Sequence, residues 1–223
     1  MSFIVAMDGP AGTGKGTITK ILSKEMGLVN IDTGATYRCV ALYAIENNIK
    51  LEEKDKIISS LKNINIDMKN ENGEQTIFLN GKDVTKDIRT KEVTKIVSQV
   101  SSIKEVRFAM VDVQRKLAEG KNVIMEGRDI TTYVFPNADV KIYLDADENE
   151  RAKRRYKEMQ EKGIDMTYEE VLKNIQIRDK NDKEKEIGAL KIAEDAIYVD
   201  TTNLSIEEVK EKVKQIIEEK RGK

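Results

Sequence analysis

The chain has 223 residues, of which 39 are Lys or Arg and 40 are Asp or Glu, so its formal net charge at pH 7 is −1. This length suits one large domain, and the near balance of charges argues against the strong basic field that nucleic-acid binding usually needs. Histidine is absent and Cys39 is the only cysteine, which excludes Ser-His and Cys-His nucleophile pairs, His-ligated metal sites and intrachain disulfides.

The beginning of the chain has the pattern strand, loop, helix. A short apolar run from Phe3 to Asp8 stops at a glycine-rich turn, and Lys15 to Met26 carries apolar residues at helical spacing. The first run lacks a basic flank and is too short for a signal peptide or a membrane span. Together with the single cysteine, this leads us to expect a cytoplasmic protein without a membrane partner.

Four more short apolar runs follow, at Leu28 to Ile31, Val123 to Met125, Val140 to Leu144 and Ala196 to Val199. Most of them lack polar alternation, which is typical of parallel strands covered by helices on both faces. Amphipathic helical patterns separate the runs, for example Glu105 to Glu119. The sequence therefore predicts an α/β fold with a five-stranded parallel sheet flanked by helices.

Residues 64–88 break this alternation of strands and helices. Asn72-Gly73 and Asn80-Gly81 separate short apolar runs there. Asn-Gly is the preferred central pair of a type I′ hairpin, because both of its positions need a positive φ. Two such turns predict a small three-stranded antiparallel insert.

A glycine-rich loop lies between the first predicted strand and the first predicted helix. Backbone N–H groups and the positive end of a helix can surround an anion there, while the lysine faces the β- and γ-phosphates and a hydroxyl ligates Mg²⁺. The pattern predicts a P-loop for a nucleoside triphosphate, with Thr17 as the metal ligand. Its predicted binding residues are Gly9, Pro10, Ala11, Gly12, Thr13, Gly14, Lys15, Gly16 and Thr17.

Other nucleotide-binding motifs fit this loop less well. Asp32 ends the second predicted strand about 20 residues later, where dinucleotide-binding proteins place a ribose-binding carboxylate. However, the third glycine of their G-x-G-x-x-G pattern falls on Thr17, and the N-K-x-D and D-x-x-G signatures of GTPases are absent from the sequence. The strict P-loop pattern has Ser or Thr where Gly16 stands, and this GKGT form is typical of nucleoside monophosphate kinases.

Two arginines follow predicted strands at the edge of the sheet where ligands bind. Arg38 comes after the second strand, and Arg128 comes after the third in the run Glu126-Gly-Arg128-Asp129. An arginine offers a planar fork to phosphate oxygens. Both residues are therefore candidates for holding the phosphate of an acceptor.

Three arginines farther along have the spacing of one helix face. Arg151, Arg154 and Arg155 could close over triphosphate oxygens as part of a helical lid. Pairing with neighbouring glutamates such as Glu158 is the alternative. We expect Arg154 and Arg155 to contact the nucleoside triphosphate.

In their order along the chain, these segments resemble the bacterial cytidylate kinase family. The resemblance extends through GPAGTGKGT, DTGATYR, IRTKEV, SQV, EGRD followed by VFP, KIYLDA, the RAKRR helix and RDKND. The hairpin insert is similar to the enlarged monophosphate-binding region that separates this family from adenylate kinases. The resemblance implies a P-loop NTPase fold and transfer of the ATP γ-phosphoryl group to CMP or dCMP, with Mg²⁺ as cofactor.

The resemblance also implies roles for individual residues. Its motifs assign acceptor-binding side chains in three groups: Thr33, Arg38 and Arg128 for the phosphate, Ser98, Arg107 and Asp129 for the cytosine edge, and Arg178 and Asp182 for the sugar and phosphate. Arg89 is a weaker candidate for the phosphate. The catalytic residues are expected to be Lys15, Arg128 and Arg178.

Two positions depart from the family's pattern. The family usually has an arginine where Lys185 stands, and a lysine keeps the charge but loses the bidentate fork. The family also often has Asp in place of Glu126. Lys185 leaves room for a nucleotide-binding regulatory protein without turnover. A P-loop kinase with another small acceptor is the other alternative.

The expected organisation is a single kinase domain over residues 1–223, and we expect it to be a monomer. Its core would comprise residues 1–33, 102–149 and 181–223, with a monophosphate-binding insert at 34–101 and a lid at 150–180. A phosphate monoester is already mostly ionised at neutral pH, because its second pKa is about 6. The transfer therefore needs no general base, which agrees with the absence of histidine.

Overall fold

The computed structural model describes residues 2–71, 74–161 and 163–222. Within these ranges, no helix combines the length and the apolar character that a membrane span requires. The helices and strands follow one another as β1 (Ile4–Asp8), α1 (Lys15–Met26), β2 (Val29–Asp32), α2 (Thr33–Glu46), α3 (Lys54–Ser60), β3 (Ile66–Glu71), β4 (Glu74–Leu79), β5 (Lys82–Asp83), α4 (Lys91–Val100), α5 (Lys104–Ala118), β6 (Val123–Gly127), β7 (Val140–Asp145), α6 (Glu148–Glu161), α7 (Tyr168–Lys183), β8 (Ile197–Asp200) and α8 (Ile206–Arg221).

The predicted five-stranded parallel sheet is confirmed. Its strand order is β2-β6-β1-β7-β8, and every neighbouring pair runs parallel. Each of these five strands begins within one residue of the first residue of its predicted apolar run. The P-loop strand β1 is central, so the loops that follow β1, β2 and β6 lie side by side at the carboxyl edge.

Both faces of this sheet are covered by helices. Along β1, Val5 and Met7 point into a core shared with α1 and α8, whereas Ala6 points into a core shared with α2 and α5. This alternation follows from the pleat of a strand, which sends successive side chains to opposite faces. Because both faces of the sheet are buried, successive residues of a strand can all be apolar, which accounts for the runs without polar alternation.

The antiparallel insert is confirmed as the sheet β3-β4-β5. Asn80 and Gly81 have φ values of 51° and 82°, as the predicted type I′ turn requires. The other predicted turn, Asn72-Gly73, lies outside the described residues. Buried side chains of the insert, such as Ile77, share one apolar cluster with Met125 of β6, so the proposed boundary at residue 101 stays a prediction.

Helices α6 and α7 pack on each other beside the P-loop. Their contact is a separate small cluster centred on Ala152, Val171 and Ile175. The rings of Tyr156 and Tyr168 add an edge-to-face contact with centroids 6.2 Å apart. This pair of helices corresponds to the region expected to form a lid, and its role as a lid stays a prediction.

Candidate nucleotide-binding site

The glycine-rich loop curls around the ammonium group of Lys15. Helix α1 begins at Lys15, directly after Gly14 in the left-handed region with φ 90°. The Lys15 side chain is buried at 4% exposure. Its Nζ donates hydrogen bonds to the carbonyls of Gly9 and Pro10, both at 2.7 Å, and to the Thr13 hydroxyl at 3.2 Å. The loop therefore places a cation in front of the helix N-terminus, as the motif predicts.

Lys15 is buried, and the half-buried Glu126 lies within its electrostatic reach. Burial, aided by the positive charge of Arg128, lowers the pKa of Lys15 to about 7, and Glu126 opposes this shift. Burial and the nearby Asp32 raise the pKa of Glu126 to about 7. A phosphate arriving beside Lys15 would favour the ammonium form, because an opposite charge stabilises it.

Gly16, which stands where the strict P-loop pattern has Ser or Thr, lies close to the carboxylate of Glu126. A Cβ atom on Gly16 would lie 2.7 Å from Oε1 of Glu126. A side chain directly after the lysine would therefore have to shift the end of the Glu126 side chain, and the next hydroxyl along the chain is that of Thr17. Thr17 is exposed in the first turn of α1. Its hydroxyl and the carboxylate of Glu126 are oxygen donors, the type that Mg²⁺ accepts beside phosphates and water.

Side-chain hydrogen bonds join the ends of the strands at this edge. The buried carboxylate of Asp8 accepts from the N–H groups of Ile130 and Thr131 at 2.9 and 2.7 Å, and from the Thr131 hydroxyl at 2.6 Å. Burial raises the pKa of Asp8 to about 6. Thr33 donates from its hydroxyl to the carbonyl of Glu126 at 2.7 Å. The loop after β6 is thus held against β1, and the start of α2 is held against the end of β6.

Asp182 organises the cations of the predicted acceptor site. One of its oxygens accepts from Nε of Arg128 at 2.8 Å, and the other accepts from Nζ of Lys185 at 2.9 Å. Nε of Arg178 lies 3.9 Å from the same carboxylate. Burial alone would raise the pKa of Asp182, but these three cations hold it well below its usual value. Asp182 therefore stays ionised and orients the cations.

The predicted phosphate-binding cations form one group. Burial is the main cause of the lowered pKa of Lys15, and the charges of Arg128 and Arg178 lower it further. Burial also lowers the pKa of Arg178 to about 10, and the charge of Arg38 contributes to that shift. Lys15 is therefore within electrostatic reach of Arg128 and Arg178, and these two arginines are within reach of Arg38. Like charges repel, so a group of this kind is suited to binding anions that neutralise it.

Arg38 and Arg89 extend this group toward the insert. The half-buried guanidinium of Arg38 donates from Nη1 to the carbonyl of Ile88 at 3.0 Å and to the hydroxyl of Thr94 at 2.9 Å. Arg89 is exposed and lies 3.4 Å from the carboxylate of Asp32. Arg38 is thus oriented by α4 and the turn before it, while Arg89 stays a weaker candidate.

The three residues expected to read a cytosine edge come from α4, α5 and the loop after β6. Arg107 and Asp129 form an ion pair whose side chains are only 3% and 6% exposed. Arg107 also donates from Nη1 to the carbonyl of Ser101 at 3.3 Å, and its Cζ lies 5.4 Å from the ring centre of Tyr37. Ser98 is half-buried on α4. A guanidinium and a carboxylate therefore meet side by side at fixed positions.

The arginines expected to cover a triphosphate have different neighbours. Arg154 donates from Nη2 to the carbonyl of Thr201 at 2.5 Å, in the loop after β8. Arg155 pairs with Glu158 at 2.6 Å, as the alternative interpretation of this helix predicts. The part that Arg154 and Arg155 play in binding a nucleoside triphosphate therefore stays a prediction.

Arg151 instead forms a contact that the sequence did not reveal. Its buried guanidinium donates from Nη1 to the carbonyl of Ala11 at 3.0 Å and to the carboxylate of Asp179 at 2.5 Å. Asp179 in turn accepts from the N–H of Ala11 at 3.2 Å. The two helices of the expected lid are thereby tied to the P-loop backbone.

Solved structures with low sequence identity share this fold. An uncharacterized protein from Eubacterium ventriosum superposes with a TM-score of 0.52 at 12% identity, covering 98% of this chain and 99% of that one. A gluconokinase from Sinorhizobium meliloti superposes with a TM-score of 0.50 at 12% identity, covering 98% and 92%. At this level of identity, the likeness concerns the fold alone.

Sequence comparison identifies the family. A family model described as cytidylate kinase matches residues 5–219. A cytidylate kinase from Caldicellulosiruptor bescii is 49% identical over 212 residues, which cover 95% of this chain and 94% of that protein. The cytidylate kinase of Bacillus subtilis is 44% identical over 216 residues, covering 97% and 96%. With its P-loop, its hairpin insert and its buried arginines in place, the chain belongs to the cytidylate kinase family.

Proposed function

We propose that the protein transfers the γ-phosphoryl group of ATP to CMP or dCMP, giving ADP and CDP or dCDP. The proposal is carried by the cations at the carboxyl edge of the sheet: Lys15 lies within the P-loop, and Arg128 and Arg178 face the same carboxylate of Asp182 on the expected acceptor side. Such a group can hold a triphosphate and a monophosphate against each other. The names of the curated relatives support the same reaction.

Catalysis would rest on positioning and on charge stabilisation. Lys15 would neutralise the charge between the β- and γ-phosphates, while Arg128 and Arg178 would contact the equatorial oxygens during transfer. The bond from the γ-phosphorus to ADP breaks as the bond to the acceptor oxygen forms. Because that oxygen is mostly ionised at pH 7, no side chain has to remove a proton. Mg²⁺, held by Thr17 and the phosphates, would neutralise further charge on the phosphate oxygens.

The Arg107–Asp129 pair suits cytosine better than uracil. Cytosine presents an amino donor at N4 beside the acceptors N3 and O2, whereas uracil presents a carbonyl at C4 and a donor at N3. Asp129 would accept from the N4 amino group, and Arg107 would donate to the neighbouring acceptors. With uracil, the carboxylate would face a carbonyl oxygen, and a buried polar group without a partner costs affinity.

We expect Arg107→Ala to lower the preference for CMP over UMP by about tenfold or more, since the loss of a matched hydrogen-bonding group relaxes discrimination. The measurement is kcat/KM for CMP, dCMP and UMP at saturating ATP. Arg115→Ala is the matched control, because Arg115 lies on the same helix but is exposed and donates to the carbonyls of Val134 and Tyr133. Equal losses for all three acceptors would contradict the role of Arg107.

The proposed function itself is tested with the purified protein, ATP, Mg²⁺ and a panel of nucleoside monophosphates, with ADP formation as the readout. CMP and dCMP are expected to give the highest kcat/KM. Turnover with a different small acceptor would support another P-loop kinase, and tight nucleotide binding without turnover would support a regulatory protein. That the enzyme is a cytoplasmic monomer is part of this proposal, and gel filtration tests the monomer.

A further inference from the structure

The chain that follows α7 turns back over the Arg107–Asp129 pair. Two contacts to Asp182 anchor this segment, which we call the base cover and which comprises residues 184–190. Near its start, Nζ of Lys185 donates to the Asp182 carboxylate at 2.9 Å. At its end, the N–H of Leu190 donates to the Asp182 carbonyl at 2.7 Å. Both ends of the base cover are thus held by the residue that also orients an arginine of the phosphate site.

Gly188 is the point at which the base cover meets the ion pair. It lies in the left-handed region with φ +64°, and a Cβ atom there would overlap Nη2 of Arg107 and Oδ2 of Asp129. These are the two atoms that form the ion pair. The backbone at Gly188 therefore lies directly against the pair, which agrees with the low exposure of both side chains.

Resting on the proposed function, we propose that Gly188 is a positioning residue for pyrimidine specificity, and that the base cover holds Arg107 and Asp129 in the arrangement that selects cytosine. A side chain at position 188 would push the cover, the guanidinium or the carboxylate away from its place. With glycine at position 188, the backbone approaches the pair without displacing either side chain. The cover thereby restricts how the edge of a base can approach Arg107 and Asp129.

The anchoring on Asp182 links base recognition to the phosphate site. Asp182 binds Arg128 through one carboxylate oxygen and Lys185 through the other. A base that shifts the cover would therefore also act on the cations around Asp182. This link assigns a role to Lys185 that needs only a single charged contact, for which a lysine serves as well as an arginine.

The test compares Gly188→Ala with Gly120→Ala. Gly120 has φ +70°, and a Cβ atom built there meets nothing within 4 Å. Both variants place alanine in the left-handed region and so carry a similar backbone cost, but only the first collides with the ion pair. We expect Gly188→Ala to lower the ratio of kcat/KM for CMP over UMP by tenfold or more, with KM for ATP changed less than twofold. Gly120→Ala should keep the wild-type ratio.

A second variant keeps the test decisive if Gly188→Ala does not fold. Lys185→Met removes one anchor of the cover without adding volume against the pair, and a threefold or larger fall in the CMP to UMP ratio is expected. Wild-type ratios in every variant that folds would overturn the inference about the cover. Failure of the wild-type enzyme to phosphorylate CMP would instead overturn the proposed function.

Discussion

Replacing Lys15 with methionine is expected to lower turnover by about three orders of magnitude, the scale of a lost cation at a transferring phosphoryl group. Methionine has a similar length and fills the same space, so the change removes the charge and little else. In the structure, the ammonium also bonds to the carbonyls of Gly9 and Pro10. We therefore expect a looser P-loop and a higher KM for ATP as well. Steady-state kinetics with varied ATP and saturating CMP measure both effects.

Lys20→Met is the matched control for this prediction. Lys20 lies on the same helix, is exposed, and carries the same charge. Its replacement should leave turnover within about twofold of the wild type, since surface changes away from a site have small effects. Thermal unfolding of all three proteins identifies any folding defect. A folded Lys15→Met enzyme with turnover within tenfold of the wild type would show that Lys15 is not the cation that catalysis depends on.

The parallel sheet could be predicted because a strand that is buried on both faces has a short run of consecutive apolar residues in the sequence. Runs such as Val123 to Met125 are apolar without alternation, and the strand observed there extends only to Gly127. The turn at Asn80-Gly81 could likewise be predicted, because a type I′ turn needs residues that tolerate a positive φ. Burial of a strand and a positive φ in a turn each restrict the residue types at a few consecutive positions, so both can be recognised in the sequence.

The connections across the site could not be predicted, because they join residues that are distant in the chain. The Asp8 carboxylate and the Thr131 hydroxyl it accepts from are separated by 123 positions. The helical spacing of Arg151 and Arg154 was evident, but the neighbours that they contact depend on tertiary packing. One of them holds the P-loop backbone, and the other holds the loop after β8. Spacing on a helix defines a face and does not define what packs against it.

The glycine after the P-loop lysine illustrates both limits. Its presence in place of serine or threonine was evident from the sequence and indicated a family. In the structure, a Cβ at this glycine would meet the end of the Glu126 side chain, which lies in the separate strand β6. Gly188 is the converse case, since the sequence around it has no recognisable motif and its importance is visible only from the atoms that a side chain would meet.

The second large effect is expected for Arg128→Ala, which should lower turnover by about three orders of magnitude, comparable to the loss of an arginine finger. Arg128 is the arginine bonded to Asp182, and it also lies within electrostatic reach of Lys15. In the proposed reaction Arg128 would lie between the two nucleotides, so its charge would act on the group in transfer. Lys185 and Arg178 still face Asp182 in this variant, so the buried carboxylate keeps partners and the protein should fold.

Arg128→Lys separates the charge from the geometry of the fork. A lysine restores the positive charge but not the planar set of donors, so we expect it to recover about tenfold of the lost turnover and no more. Arg221→Ala serves as the control, since Arg221 is exposed in the last turn of α8. Rates of single turnovers at saturating ATP and CMP give the size of each effect. If Arg128→Ala raises only KM for CMP and leaves the single-turnover rate unchanged, Arg128 binds the acceptor without stabilising the transition state.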